Sequence, residues 1–252
     1  MELVILGSGT CSPNPARMAP GYFLTIGSTR LLIDPGPGAV GRAVAMGLDP
    51  YEADAVALTH NHLDHSADML PFLFSRKNCR RSSAVEDIRI FAPRGFTADF
   101  AKLMEVYGRL IVSDNYRIVI EEMGANEWEE PSFSIRSAPV LHSGSAVGYR
   151  FSKAGGPSLA YSGDTGYCEE IVELARGADI LLIECSYPDG TMTDGHMTPS
   201  EVAVVAKESG AGSVVITHLQ PEMDVGEAVR IIRSSGYRGE VTAAEDGMRI
   251  RI

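Results

Sequence analysis

The sequence predicts an α/β fold carried by one domain spanning residues 1–252, and three observations lead there. Short β-branched runs alternate with amphipathic helical stretches along the whole chain. With 252 residues and 44% hydrophobic content there is enough apolar mass for a large shared core. No Pro/Ser-rich linker, low-complexity tract or internal repeat divides the chain.

Taken in order, the apolar runs Glu2–Leu6, Tyr22–Ile26 and Arg30–Asp34 predict three strands. Asp34-Pro35-Gly36-Pro37-Gly38 makes the turn into a helix over Ala39–Met46, with Asp34 either capping it or supporting a ligand from behind. The buried-strand run Ala55–Thr59 is followed by an amphipathic helix at Ala67–Ser75, a strand at Ile88–Ala92 and a helix at Gly95–Tyr107. Four strands come next, at Tyr116–Ile120, Ser132–Ala138, Ala146–Phe151 and Ser158–Ser162. The last third alternates: helix Glu169–Ala175, strand Ile180–Glu184, helix Thr198–Ser209, strand Ser213–Thr217, helix Val225–Ser235, then strands Glu240–Ala243 and Met248–Ile252. Thr198-Pro199-Ser200-Glu201 opens its helix with a capping residue, a proline at the first helical position and an acid in the first turn.

Charge and cysteine usage narrow the class. A formal charge of −11 makes the molecule a poor electrostatic partner for nucleic acid or an anionic membrane. Arg76, Lys77, Arg80 and Arg81 form a local basic stretch that is either a solvated face or an attractor for an anionic substrate. Cys11, Cys79, Cys168 and Cys185 lie far apart without Cys-x-x-Cys spacing, which argues against a zinc ribbon or a disulfide framework and fits a reducing cytoplasm. The N-terminus runs into a strand without a basic leader, and no apolar run approaches the ~20 residues of a membrane span.

All 6 histidines fall into one spaced pattern: His60, His62 and His65 in Thr59-His60-Asn61-His62-Leu63-Asp64-His65, then His142, His196 and His218. His60, His142 and His218 directly follow apolar strand runs, as does Asp164, and such strand-end loops are where ligands converge in sheet-based enzymes. A mixed His/carboxylate set without thiolate suits Zn²⁺, Mn²⁺ or Fe²⁺ and leaves coordination positions open. Two such ions, bridged by a carboxylate such as Asp164, can hold a hydroxide and grip both the attacking and the leaving oxygen of a displacement. The site is therefore expected to hydrolyse something.

His60-Asn61-His62-Leu63-Asp64-His65 together with His142, Gly163-Asp164-Thr165 and His218 resembles the metallo-β-lactamase superfamily across nearly the whole chain. The resemblance implies a four-layer αβ/βα sandwich, two packed mixed β-sheets with helices outside, and a dinuclear centre at one edge. It implies that His60, His62 and His142 bind one metal, that Asp64, His65 and His218 bind the other, and that Asp164 bridges. Oxygen-reducing relatives carry a glutamate where His62 stands, so hydrolysis rather than redox chemistry is implied.

Leu6-Gly7-Ser8-Gly9-Thr10 with Pro13 and Arg17, Ile183-Glu184, and Gly195-His196-Met197-Thr198 look like the ribonuclease Z and phosphodiesterase branch. There the residue matching His196, held by a glutamate like Glu184, protonates the leaving oxygen, and Asp64 orients the attacking hydroxide. Only 21 residues (143 to 163) separate His142 from Asp164, which leaves no room for the tRNA-binding arm of that branch. Leu219-Gln220-Pro221-Glu222 also departs from the usual continuation after the last histidine. The expectation is thus a two-metal, zinc-preferring phosphodiesterase acting on a small anionic nucleotide-like diester. A thioester or lactone hydrolase of glyoxalase II type is the alternative, with tRNA 3′ processing third. Phe72, Phe74 and Tyr107 are expected either as core or as a lid over the site, and a closed homodimer is the default assembly.

Overall fold

The computed structural model describes residues 1–79, 86–191 and 194–252. Its strands, in chain order, are β1 (Glu2–Gly7), β2 (Gly21–Ile26), β3 (Thr29–Ile33), β4 (Ala55–Ala57), β5 (Glu86–Pro93), β6 (Tyr116–Met123), β7 (Glu127–Glu130), β8 (Phe133–Pro139), β9 (Val147–Lys153), β10 (Ser158–Tyr161), β11 (Ile180–Glu184), β12 (Ser213–Thr217), β13 (Glu240–Ala243) and β14 (Arg249–Arg251). The helices are α1 (Ala39–Ala45), α2 (Leu63–Ser66), α3 (Met69–Cys79), α4 (Phe96–Ile111), α5 (Glu169–Ala175), α6 (Pro199–Ser209) and α7 (Val225–Ser234).

These strands form two sheets of seven, ordered β14-β1-β2-β3-β4-β5-β6 and β13-β12-β11-β10-β9-β8-β7. Both are mixed: β3 to β6 and β10 to β13 run parallel, and the remaining pairs are antiparallel. Period-two alternation sets the layers. Along β1, Leu3 and Ile5 face the second sheet and meet Tyr149, Phe151, Tyr161 and Leu182, while Val4 and Leu6 face outward under α1, α3 and α4. The second sheet repeats this with Ala160, Leu181, Ile183 and Val214 packed under α5, α6 and α7. Because both faces of each sheet are buried, the strands read as continuous apolar runs, and the result is the four-layer αβ/βα sandwich.

Most expected elements recur within two residues of their expected limits, β6 runs three residues past its expected end at Ile120, and three others differ. β7 was not expected, because Glu127, Glu129 and Glu130 make it acidic; it is an edge strand paired only with β8, and Trp128 alone turns inward, onto Phe91 and Phe133. The helix expected at Ala67–Ser75 is instead α2 followed by α3. Asp68 lies between them, donating its N–H to Pro35 O and accepting from the Val40 N–H at 3.0 Å, so the chain is pinned to the Pro35–Val40 turn where one helix would have continued. α4 extends past Tyr107 to Ile111, whose buried side chain joins Phe96 and Phe100 on one face.

The strand ends that matter all open at one edge. The segments after β4, β8, β10, β11 and β12 emerge there, joined by the Val147 N–H to Thr59 O and the Leu219 N–H to Ser8 O.

Candidate active site

His60 follows β4 and is buried beneath the rim, while His62 caps the start of α2, which turns Asp64 and buried His65 back toward it. Gly36 permits this return, since a Cβ there would lie 1.9 Å from Asp64 O and 2.5 Å from Pro20 O. His142, Asp164 and His218 arrive from the second sheet. His218 adopts φ 55°, a left-handed conformation unusual for a side-chain-bearing residue, held by the surrounding fold.

The side chains converge as two groups, and Asp164 of the first also reaches the second. One comprises His60, His62, His142 and Asp164; the other comprises Asp64, His65 and His218; within each group the ligand atoms lie within 4.8 Å of one another. Asp164 Oδ2 is 3.7 Å from His60 Nε2 and 3.8 Å from His142 Nε2. Its Oδ1 is 3.2 Å from His65 Nε2 and 3.4 Å from His218 Nε2. Asp64 Oδ2 lies 3.6 Å from His218 Nε2 and 3.7 Å from His65 Nε2. Asp164, His196 and His218 form a third, overlapping group.

Hydrogen bonds behind the cluster fix which nitrogen faces in. His65 Nδ1 donates to Asp34 Oδ2 at 2.9 Å, His142 Nδ1 to Gly195 O at 2.9 Å, and His218 Nδ1 to Ser186 Oγ at 2.9 Å. His60 Nδ1 lies 3.0 Å from Thr59 Oγ1, which itself donates to Asp34 Oδ2 at 2.6 Å and so accepts from the ring. All four therefore turn Nε2 inward, an orientation that outer partners typically impose on metal-binding imidazoles. His62 instead presents Nδ1, 3.2 Å from His142 Nε2.

Lone pairs facing one another at such distances repel unless a cation lies between them. His60 Nε2 and Asp164 Oδ1 are moreover buried without a hydrogen-bond partner. Burial, reinforced by the charge of His65, drives His60 down to about 2 and leaves it neutral, as a ligand must be. Burial alone would lower His65 too, but Asp164 and Asp34 raise it well above the usual imidazole range: this pocket of carboxylates demands positive charge. Asp164, although buried, is held well below the usual carboxylate range by His218 and His65. The donor set thus fits two divalent cations.

His196 stands beside this cluster, its ring 4.9 Å from His142 and 5.6 Å from His218. Its Nδ1 lies 2.8 Å from Glu184 Oε1, and its side chain is 19% exposed. Glu184 is fully buried and accepts from the backbone N–H groups of Thr165, Ser186 and Met197 and from Ser186 Oγ. Burial lowers the His196 pKa, but the bond to Glu184 outweighs it and the net shift is upward.

A family model described as beta-lactamase superfamily domain matches residues 29–219. The chain belongs to the β-lactamase superfamily. It is similar to the ribonuclease Z of Mycobacterium bovis, 27% identical over 279 aligned positions that cover 100% of this chain and 98% of the relative. Its fold is similar to that of the short form of human tRNase Z, with TM-score 0.81 and 24% identity over 100% of this chain and 99% of the other. It is also similar to a diphosphatase of the PhnP family, with TM-score 0.75 and 22% identity over 100% and 97%. The chain is accordingly a hydrolase of the ribonuclease Z and phosphodiesterase-like branch of the superfamily, which uses divalent metal ions. It is a short form without the arm, because β9, β10 and the turn at 154–157 occupy most of the segment between His142 and Asp164.

Within this superfamily fold, every residue expected at the site lies at one edge: His60, His62, Asp64, His65, His142, Asp164, Glu184, His196 and His218. Of the basic stretch, Lys77 donates to Arg109 O at 2.8 Å. Arg76 is only 2% exposed and donates to Tyr51 O and Ala53 O, so it ties α3 to the turn at Pro50–Glu52; Arg80 and Arg81 lie outside the described residues. Phe72 is core rather than lid, and Phe74 and Tyr107 are exposed. Cys185 is buried and its thiol pushed up, which removes it as a nucleophile. Among the described residues no helix is long and apolar enough to cross a membrane. The supporting roles of Thr59, Tyr161, Ser186 and Gly195 O were not legible beforehand. Ser186 stands two residues after Glu184, which places its hydroxyl between that carboxylate and His218.

Proposed function

We infer that the chain is a phosphodiesterase that cleaves a small phosphodiester, with His196 as general acid. The observation that carries this reading is the His196–Glu184 pair beside the shared-aspartate cluster. Thioester hydrolysis has no comparable use for a carboxylate-held imidazole at that place, because thiolates leave readily without a proton.

In this reading His60, His62 and His142 would hold one ion and Asp64, His65 and His218 the other, with Asp164 available to both. Bound divalent cations, with zinc the best match to this donor set, supply Lewis acidity that neutralises phosphoryl charge and acidifies the attacking water. Asp64, which His218 and His65 hold at about 2 against the opposing effect of burial, stays ionised and accepts a hydrogen bond that aims that water. His196, with Nδ1 committed to Glu184, delivers its Nε2 proton to the departing oxygen as the ester bond breaks. Glu184 keeps the imidazole charged and oriented beforehand.

A second reading, tRNA 3′ processing, is favoured by the relatives named ribonuclease Z. Against it stand the missing arm and the net charge of −11. The test is turnover by Zn²⁺- or Mn²⁺-reconstituted protein, compared with chelated protein, of a p-nitrophenyl phosphodiester, an S-acyl thioester, a lactone and a precursor tRNA. Metal-dependent diester cleavage with little action on tRNA supports a small diester as substrate. Thioester or lactone cleavage without diester cleavage rejects the reading, and efficient tRNA cleavage replaces it with the second.

A further inference from the structure

Beside the cluster lies a cavity of about 620 Å³ whose wall includes Asp64. Its lining comes mainly from the loop between β1 and β2: Cys11, Pro13, Pro15 and Met18, faced by Pro37 and by Leu63, which is 76% exposed between His62 and Asp64. The cluster chemistry makes no use of this space.

Several polar groups of that loop hold it together. Arg17 Nη1 donates to Ser8 Oγ at 2.7 Å and to Ala244 O. Asp246 accepts from Ser8 N at 2.9 Å, Ser8 Oγ at 2.8 Å and Met18 N at 2.8 Å, and pairs with Arg42 at 3.2 Å. Thr10 Oγ1 donates to Gln220 Oε1 at 3.1 Å, and Asn14 Oδ1 accepts from Ala16 N at 2.9 Å. What this network leaves facing the cavity is mainly proline rings, a thioether and a leucine, with the Asp64 side chain on the wall toward the cluster.

A cavity of that make-up welcomes a flat or branched uncharged group and offers little to solvate a second anion. Its position also selects which part of a diester it takes. Asp64 lines it and His196 does not, so the occupant is the ester group that stays on phosphorus, not the group that His196 protonates.

Resting on the phosphodiesterase reading, we propose that this cavity is the specificity subsite for the retained ester group, and that it selects monoanionic phosphodiesters bearing an aromatic or similarly apolar group, such as a nucleoside base face or an aryl ring. A polynucleotide, whose next phosphate would face the apolar loop, is a poor occupant.

The test compares phenyl p-nitrophenyl phosphate with methyl p-nitrophenyl phosphate, which share a leaving group and differ only in what remains on phosphorus. After normalisation to their uncatalysed rates, kcat/KM should favour the phenyl ester by about 20-fold, the worth of burying one ring. Met18→Asp should collapse that ratio to below about 3-fold, because it sets a charge in the apolar wall. The second readout needs no turnover. Peptide-resolved mass spectrometry follows maleimide labelling of exposed Cys11, with exposed Cys79 as internal control. Diphenyl phosphate should slow labelling of Cys11 by about 5-fold or more and leave Cys79 unchanged, whereas dimethyl phosphate and inorganic phosphate should do neither.

A phenyl-to-methyl ratio near one, or equal protection by dimethyl phosphate, overturns the subsite. If neither diester turns over, the phosphodiesterase reading falls, and Cys11 protection still decides whether the cavity takes an aryl phosphodiester.

Discussion

Replacing His196 with alanine separates a leaving-group acid from a merely nearby histidine, provided two diesters of unequal leaving group are compared. An alkoxide is a poor leaving group that needs a proton as it departs; p-nitrophenolate leaves as a stable anion at neutral pH. The arrangement here is built for the first case. Nδ1 is committed to Glu184 at 2.8 Å, so the transferable proton sits on Nε2, and a carboxylate buried among four further donors cannot turn away. Positioned general acids contribute about 10²–10⁴-fold. His196→Ala should therefore lower kcat/KM for an alkyl-leaving diester by about 10²- to 10³-fold, or ~2.7–4 kcal/mol at 1.36 kcal/mol per decade. The loss on a p-nitrophenyl diester should stay below about 3-fold. The assay pairs phosphate-ester kinetics on both substrates with metal analysis of the purified variant. Equal losses on the two substrates would refute the leaving-group role. A drop in bound metal would instead make His196 a ligand through its grouping with Asp164 and His218.

The net upward shift of the His196 pKa fixes a sign for the pH profile. Burial opposes protonation and the Glu184 bond favours it, so the charged acid persists to higher pH than in a free imidazole. Alkyl-diester turnover should be present below that raised pKa and fall as pH rises through it, while the p-nitrophenyl profile should lack this alkaline fall. Asp34 is fully buried and accepts from Thr59 N through Oδ1, and from Thr59 Oγ1, His65 Nδ1 and Tyr161 O–H through Oδ2. Asp34→Asn must set its amide N–H₂ against at least one of these donors, so calorimetry should show a loss of ~3 kcal/mol, a fall in Tm of about 6–12 °C, and metal titration should show affinity weakened by about 10–100-fold. A stability loss without weaker metal binding would deny Asp34 its role behind His65. Gly36→Ala drives a methyl group into Asp64 O and Pro20 O, and should cost ~3 kcal/mol or more and displace Asp64; unchanged metal stoichiometry and Tm would contradict that packing. Chelation should lower the Tm of the wild-type protein by about 10 °C, the linkage expected when the free metal exceeds its Kd about 1,000-fold, and equal Tm with and without chelator would remove the metal from the folded state.

The candidate ligand set could be proposed from sequence because its chemistry is local. His60, His62, Asp64 and His65 are close in sequence, and each distant partner follows an apolar strand, so residue type and strand periodicity together placed the site residues at strand ends. Apolar runs fixed most strand limits for the same reason: a strand buried on both faces must be apolar along its length. β7 escaped because an edge strand with one inward residue, Trp128, carries no such run, and α2 escaped because a four-residue helix is set by the Gly36–Asp64 contact and not by its own propensity.

The sequence by itself determined the α/β class, the order of most elements and the residues able to bind metal, since these depend on local pattern and on functional-group chemistry. Only the tertiary structure decided which nitrogen each histidine turns inward, that Asp34 and Glu184 are the buried carboxylates behind the two sides of the cluster, that Arg76 is a brace between elements and not part of a charged patch, and that proline, methionine and leucine from separate segments enclose a cavity at Asp64. Those are contacts between residues up to 238 positions apart, as in the bond from Ser8 to Asp246. Their energies depend on burial and direction, which residue order does not encode until the two sheets have packed.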